Sequence, residues 1–223
     1  MARLDRLGQV PKETAQIGAV LGREFSYELI APVTQCPERE LQAALRQLTD
    51  AGLLFCRGTA PYASYLFKHA LVQDAAYSTL LRGRRQELHA RVVAVLEQRF
   101  ADLVERQPEL LAHHLMAAGN TERAVEQWLR AGQHAAAQFA YLEAIAHLER
   151  GLGLLHSSPE SPNRDGCEID LQLALAGCVD MIPVPAPRTW VPTPNGCWVI
   201  PRRRLPASLI LWHWRSGSPT RSR

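Results

Sequence analysis

Apolar residues recur through most of this chain with a helical period, and in two places that period shortens. Leu41, Ala44, Leu45 and Leu48 fall at i, i+3, i+4 and i+7, one face of a helix. Pro37 suits its first position, Glu38 and Glu40 its positive N-terminal end, and Gly52 its stop. Before it, residues 12–21 predict a short apolar helix followed by Gly22, and Phe25 to Ile30 predict another that closes before Pro32. After it come two strand-like runs, 53–57 and 64–68, joined by a turn at 58–63 that contains Pro61. Residues 2–8 read as the last turns of a further helix, ended by Gly8.

Three helices and then a hairpin is the order of a winged-helix domain, which the pattern places at residues 10–69. From Ala70 the periodicity is helical throughout, a helical array over 70–156. Residues 70–81 form one helix, broken near Gly83, and 84–100 a longer one with Leu88, Val92, Val95, Leu96 and Phe100 inside. Residues 108–118 and 121–137 form a pair split by Gly119-Asn120, with Thr121 as N-cap. Residues 141–155 carry Leu142, Ile145, Leu148, Leu152 and Leu155. Trp128, Gly132, Ala144, Leu148 and Gly151 follow the large-small-small spacing of a tetratricopeptide repeat, in which small residues let paired helices approach. Ala135 and His156 depart from it, where an aromatic and a proline are usual. One repeat matches, and a repeat needs neighbours to bury its faces, so the array reads as truncated.

Residues 157–167 are a polar linker and 168–176 the start of another helix, with Ile169, Leu171, Leu173 and Leu175. Over 177–223 neither period survives, and proline recurs among tryptophan and arginine. GC-rich DNA read out of frame gives this composition. The alternative is a lineage-specific tail that docks on a partner. The fold class is therefore mainly α: a small winged helix, a tetratricopeptide-like helical array, and an irregular tail.

Charge changes the picture in one respect. The formal net charge is +3, but residues 176–223 hold seven arginines and one acid, leaving residues 1–175 at about −3. An acidic body is a poor phosphate binder. On the third helix the outward positions Glu38, Arg39, Glu40, Arg46, Gln47 and Asp50 bear three acids against two arginines, and the wing offers Arg57 and Lys68. This balance disfavours DNA in the major groove. None of the five cysteines (36, 56, 167, 178, 197) forms C-x-x-C, and no signal peptide opens the chain, which points to a reduced cytoplasmic setting. The apolar run Leu205 to Trp214 is too short to span a bilayer.

Candidate chemistry is sparse. No phosphate-binding Gly-rich loop and no paired-aspartate metal site occurs. His113 and His114 are adjacent on a helix, about 100° apart, so they cannot face one ion together, and position 117 is alanine. They read as packing or surface residues. Cys167, Cys178 and His156 lack zinc spacing. Ser64 and Ser78 near His69 make no triad. Arg82, Arg84 and Arg85 read as a solvated helix start, with an acidic or phosphate contact as the alternative.

Three phrases carry a resemblance: Ile17-Gly-Ala-Val-Leu-Gly-Arg-Glu-Phe25, Tyr65-Leu-Phe-Lys-His-Ala-Leu-Val-Gln-Asp-Ala-Ala-Tyr77 and Pro108-Glu-Leu-Leu-Ala-His-His-Leu115. Over residues 2 to 175 the chain resembles bacterial multidomain signalling proteins that join a class III adenylate/guanylate cyclase to a STAND (AAA-type) ATPase and a tetratricopeptide array. The resemblance implies the middle of such a protein, with residues 1–9 closing the ATPase region, Met1 matching an internal methionine, and no catalytic site of its own. ATP, ADP and Mg²⁺ would belong to the parent. Its implied partners are proteins bound through the repeats and the parent's ATPase domain, not DNA and not a membrane. It also implies that His69 contacts the bound nucleotide. The plainer alternative is that His69 satisfies a backbone group where strand meets helix. Two other readings stay open: a winged-helix transcriptional regulator and a standalone adaptor.

Overall fold

The computed structural model describes residues 6–157 and 164–181, together with Val191–Pro192 and Trp198–Val199. The chain is mainly α. In order, the elements up to the first sheet are α1 (Gln9–Leu21), β1 (Glu24–Ser26), α2 (Tyr27–Thr34), α3 (Glu38–Asp50), β2 (Leu54–Arg57) and β3 (Ser64–Phe67). Both neighbours of β3 run antiparallel to it, giving the strand order β1-β3-β2. Phe25 stands opposite Tyr65, and Leu54 opposite Phe67.

Strand β1 corrects the expected helix over Phe25 to Ile30. Phe25 is buried between Tyr65 and Phe67, with ring centroids 5.7 and 5.9 Å away. Aromatic contact across the ladder outweighs local helix preference there. Ser26 then caps α2 by accepting a hydrogen bond from the Leu29 amide at 3.2 Å. Helix α2 also runs through Pro32 rather than stopping before it. The bond that proline forfeits is to the carbonyl of exposed Glu28, where water can replace it. Gly8 stands at the N-cap of α1 with φ +91°, while residues 1–5 of the expected upstream helix lie outside the described residues.

Helices α4 (Ala70–Ser78), α5 (Arg82–Arg99), α6 (Ala101–Arg106), α7 (Pro108–Ala118), α8 (Thr121–Ala137), α9 (Tyr141–Ser157) and α10 (Arg164–Asp180) follow. The expected break at Gly83 falls instead at residues 79–81. Arg85 donates from Nε to the Leu80 carbonyl and from a terminal nitrogen to the Ser78 carbonyl, satisfying acceptors at the end of α4. Gly83 lies in the first turn of α5, where its entropic cost is small. The N-cap of α8 is Asn120 rather than Thr121, and its side-chain oxygen accepts from the Arg123 amide. Gly119, in the left-handed region at φ +88°, lets the Asn120 amide reach back to the Leu115 carbonyl and close α7.

Helix α10 starts inside the expected 157–167 linker and passes the expected boundary at 177, because Leu171 and Cys178 are both buried against α8 and α9. Residues 158–163 lie outside the described residues. So does most of 177–223, apart from a two-strand antiparallel pairing of Val191–Pro192 with Trp198–Val199, where the sequence predicts no strand.

One apolar core runs from α1 through the sheet to α5 and α7, with Ile30, Leu48, Phe67, Val92 and Leu96 among its fully buried members. A second, around Leu148, Leu155 and Leu171, belongs to α8, α9 and α10. Among the described residues no helix is long and apolar enough to cross a membrane.

A Cβ added at Gly18 would sit 2.7 Å from the Phe25 ring, which the sheet holds in place. Gly18→Ala should therefore cost about 1–3 kcal/mol by urea denaturation despite its better helix propensity. Shrinking the ring in the same molecule, as Phe25→Leu, should remove most of the added penalty.

Candidate functional site

The five repeat-packing residues come together at the seam of α8 and α9. A Cβ on Gly132 would lie 2.5 Å from Leu148 Cγ and 3.3 Å from the Ala144 carbonyl oxygen, so the two helices touch backbone to side chain. A Cβ on Gly151 would meet Leu171 at 3.0 Å and Trp128 Cβ at 3.3 Å, which ties α9 to α10 and back to α8. Trp128 is buried, its ring stacked on His147 at 5.4 Å with the Arg150 guanidinium 5.2 Å from its centroid. Its Nε1, His147 Nδ1 and Gln127 Oε1 are buried without a hydrogen-bond partner among the described residues. Ala135 is buried in the second core, in the position where an aromatic is usual. His156, where proline is usual, is exposed with Nε2 3.6 Å from Glu168 on α10.

His69 is the N-cap residue of α4, in extended backbone at φ −133°, and its side chain makes no capping hydrogen bond. It is exposed, so the reading in which its ring satisfies a backbone group finds no bond here. Two residues on, Leu71 is 79% exposed. Ser64 and Ser78 form no bond to His69; the Ser78 hydroxyl donates to the Ala75 carbonyl. Of the basic knot, Arg84 pairs with Glu87 at 2.7 Å and Arg85 stacks over Tyr77 at 4.8 Å.

The sequence reading missed a buried polar chain. The Tyr77 hydroxyl lies 3.1 Å from His89 Nε2, and His89 Nδ1 lies 2.8 Å from His114 Nδ1. One imidazole must donate and the other accept, so the two rings cannot both be charged. Burial, aided by the neighbouring His113 and Arg85, pushes His89 down to about 4. Burial, with His89 and His113 beside it, pushes His114 down to about 3. His113 itself sits on the exposed side of α7. The signal available was His89 falling among Leu88, Val92 and Leu96; its partners are 12 and 25 residues away, beyond any local pattern. Among the described residues no group of His, Cys, Asp or Glu could hold a metal ion.

A groove of about 680 Å³ opens between α8 and α10, with Leu129 on one wall and Leu173 on the other.

No protein-family profile matches the chain, and no solved structure does. Over 194 residues it is 29% identical to an uncharacterized protein from Rhizobium meliloti (strain 1021), an alignment that covers 85% of this chain and 19% of that protein. The chain thus spans about a fifth of the length of that relative.

Because Leu148 closes directly on Gly132, Gly132→Ala should lower stability by about 1–3 kcal/mol, comparable to a mild core truncation, with α-helical content unchanged by circular dichroism. Gly153→Ala, with open space at its Cβ, is the matched control and should be neutral or slightly stabilising.

The two depressed histidines give stability a defined acid limb. Below about pH 6.5 the unfolded chain takes up protons that the folded chain refuses until near pH 4, so stability present above that range is lost as pH falls through it. Urea midpoints measured from about pH 7 to about pH 5, above the carboxylate range, should fall with acid, and His89→Gln should flatten the slope.

Proposed function

We propose that this chain is a regulatory and scaffolding piece of a cyclase-linked signalling ATPase. Helical repeats bind a protein and pass its presence to a nucleotide switch elsewhere in the parent. The observation that carries the reading is the unbroken apolar core joining the three-stranded unit to α5 and α7. A displacement of the first array helices is thereby a displacement of that unit. The order helix, strand, helix, helix, hairpin, with β1 on the outer edge of β3, is the one a winged helix uses. The Gly132–Leu148 approach is what a tetratricopeptide hairpin needs. The aligned Rhizobium protein, about five times the length matched, is also of a size for several further domains.

In this reading the chain carries no catalytic site. ATP or ADP and Mg²⁺ belong to the parent's ATPase domain, and the setting is cytoplasmic. His69, whose ring makes no capping bond among the described residues, stands at the head of α4 beside exposed Leu71 and is the residue that reports nucleotide state across a contact with that domain.

The rival is a DNA-binding regulator, and the charges on α3 disfavour it. Glu38, Glu40 and Asp50 share the exposed face with Arg39 and Arg46, and major-groove recognition needs that face to be basic.

His69→Ala in the parent protein should speed release of a fluorescent ADP analogue by at least about five-fold, the low end of ordinary site-to-site coupling. Unchanged release would remove His69 from the switch. A sequence-selective anisotropy change with duplex DNA at physiological salt would favour the regulator instead.

A further inference from the structure

We infer that the groove between α8 and α10 receives a basic segment of a partner protein, anchored by a large apolar side chain. This rests on the reading of the array as a protein-binding element and assigns the chemistry of what it binds. The floor is low because Ala136, Ala174 and Gly177 are small, and the walls are Leu129 and Leu173, the latter 67% exposed. An apolar side chain entering there would cover surface that nothing in the chain's described residues covers.

Asp170 lines the groove, and at that end of it acids outnumber cations. Glu122 and Glu126 on α8 and Asp170 on α10 converge on Cys167, whose thiol is raised by burial first and then by these three carboxylates. None of the three has an ion-pair partner among the described residues. Of the two arginines on α8, Arg123 is bound to Glu97 on α5, and Arg130 is exposed beside Leu129. On α10 the acids Asp165, Asp170 and Asp180 are exposed, and the helix's one cation is half-exposed Arg164 at its first residue. Unpaired acids around an apolar slot attract Lys and Arg that flank an apolar anchor, steering encounter and fixing register. The same charges argue against two copies packing α10 on α10 in parallel, which would set Asp170 against Asp170.

The test uses the full chain and a library of random peptides displayed on phage. Gly177→Leu blocks the groove without threatening the fold, because a Cβ at that helical position meets nothing within 4 Å. Selected peptides should carry Lys or Arg around a large apolar residue. They should bind at least about ten-fold more weakly to Gly177→Leu and to Glu126→Lys with Asp170→Lys, and weaken with salt. Groove-dependent peptides that are neutral or acidic would overturn the charge assignment and leave the protein-binding reading standing. Absence of any peptide sensitive to Gly177→Leu would overturn both. A dimer by light scattering that Gly177→Leu disperses would place a second copy in the groove and overturn the proposal.

Discussion

Helix α5 is the constraint on which the rest of the described structure depends. It packs against α1 and α2 on one side and α7 on the other, and Leu88, Val92 and Leu96 are fully buried between them. Each such side chain contributes roughly 1.5–3 kcal/mol of burial. The start of the helix works against it. Its N-cap, Leu81, offers no side-chain acceptor, and three arginines occupy its first turn against the dipole. Glu87, shared by Arg84 and Arg91, relieves part of that cost at the surface. Its residues, mostly Arg, Gln, Glu, Leu and Ala, favour a helix, but its burial between α1, α2 and α7 ties the three-stranded unit to the first array helices.

The polar chain at the α5–α7 contact works within that constraint. An apolar stripe alone would allow α7 to slide by a turn along α5. A donor–acceptor match between His89 and His114, extended to Tyr77, is satisfied in one register. The arrangement carries a cost of its own, since burial keeps both rings uncharged at a pH where histidines of the unfolded chain take up protons. Around Trp128 the balance differs. There the rings stack and a guanidinium covers the indole, but three buried polar atoms lack partners among the described residues. The first cluster is held by matched hydrogen bonds, the second by contact area.

What was legible in the sequence follows from the range of the forces. Helices α3, α7 and α8 declare themselves because their buried residues repeat every turn and punctuating residues stand at the ends. Strand β1 does not. It is three residues long, only Phe25 is buried, and its partner lies forty residues on. The start of α10 is obscured because Ile169 and Leu173 face out while Leu171 faces in, which blurs the stripe that marks an amphipathic helix. The packing residues from Trp128 to Gly151 were visible because a hairpin brings near neighbours together. The histidine chain was not, because three helices supply it. For His69 the position at the head of α4 was legible, but the lack of a capping bond from its ring among the described residues depends on how β3 and α4 meet.

The two apolar cores also limit how one end of the molecule can sense the other. His69 follows β3 in the first, and the α8–α10 groove lies in the second. Between them is a small cluster of Ala112, Trp128 and Ala131, with Leu154 of α9 packed against all three groups. Two alanines leave little room for rearrangement, whereas Trp128 touches α9 as well as α7. An occupant that spread α8 from α10 would load the Gly132–Leu148 contact first, since neither side there has slack. The motion open to the array is then rotation of α8 and α9 as a pair about the Trp128–Leu154 joint, carrying α7 and with it the His89–His114 bond. Two links join α8 to α5, the path through α7 with its histidine pair and the direct Arg123–Glu97 bridge, and the buried pair, satisfied in one register, is the stiffer of the two.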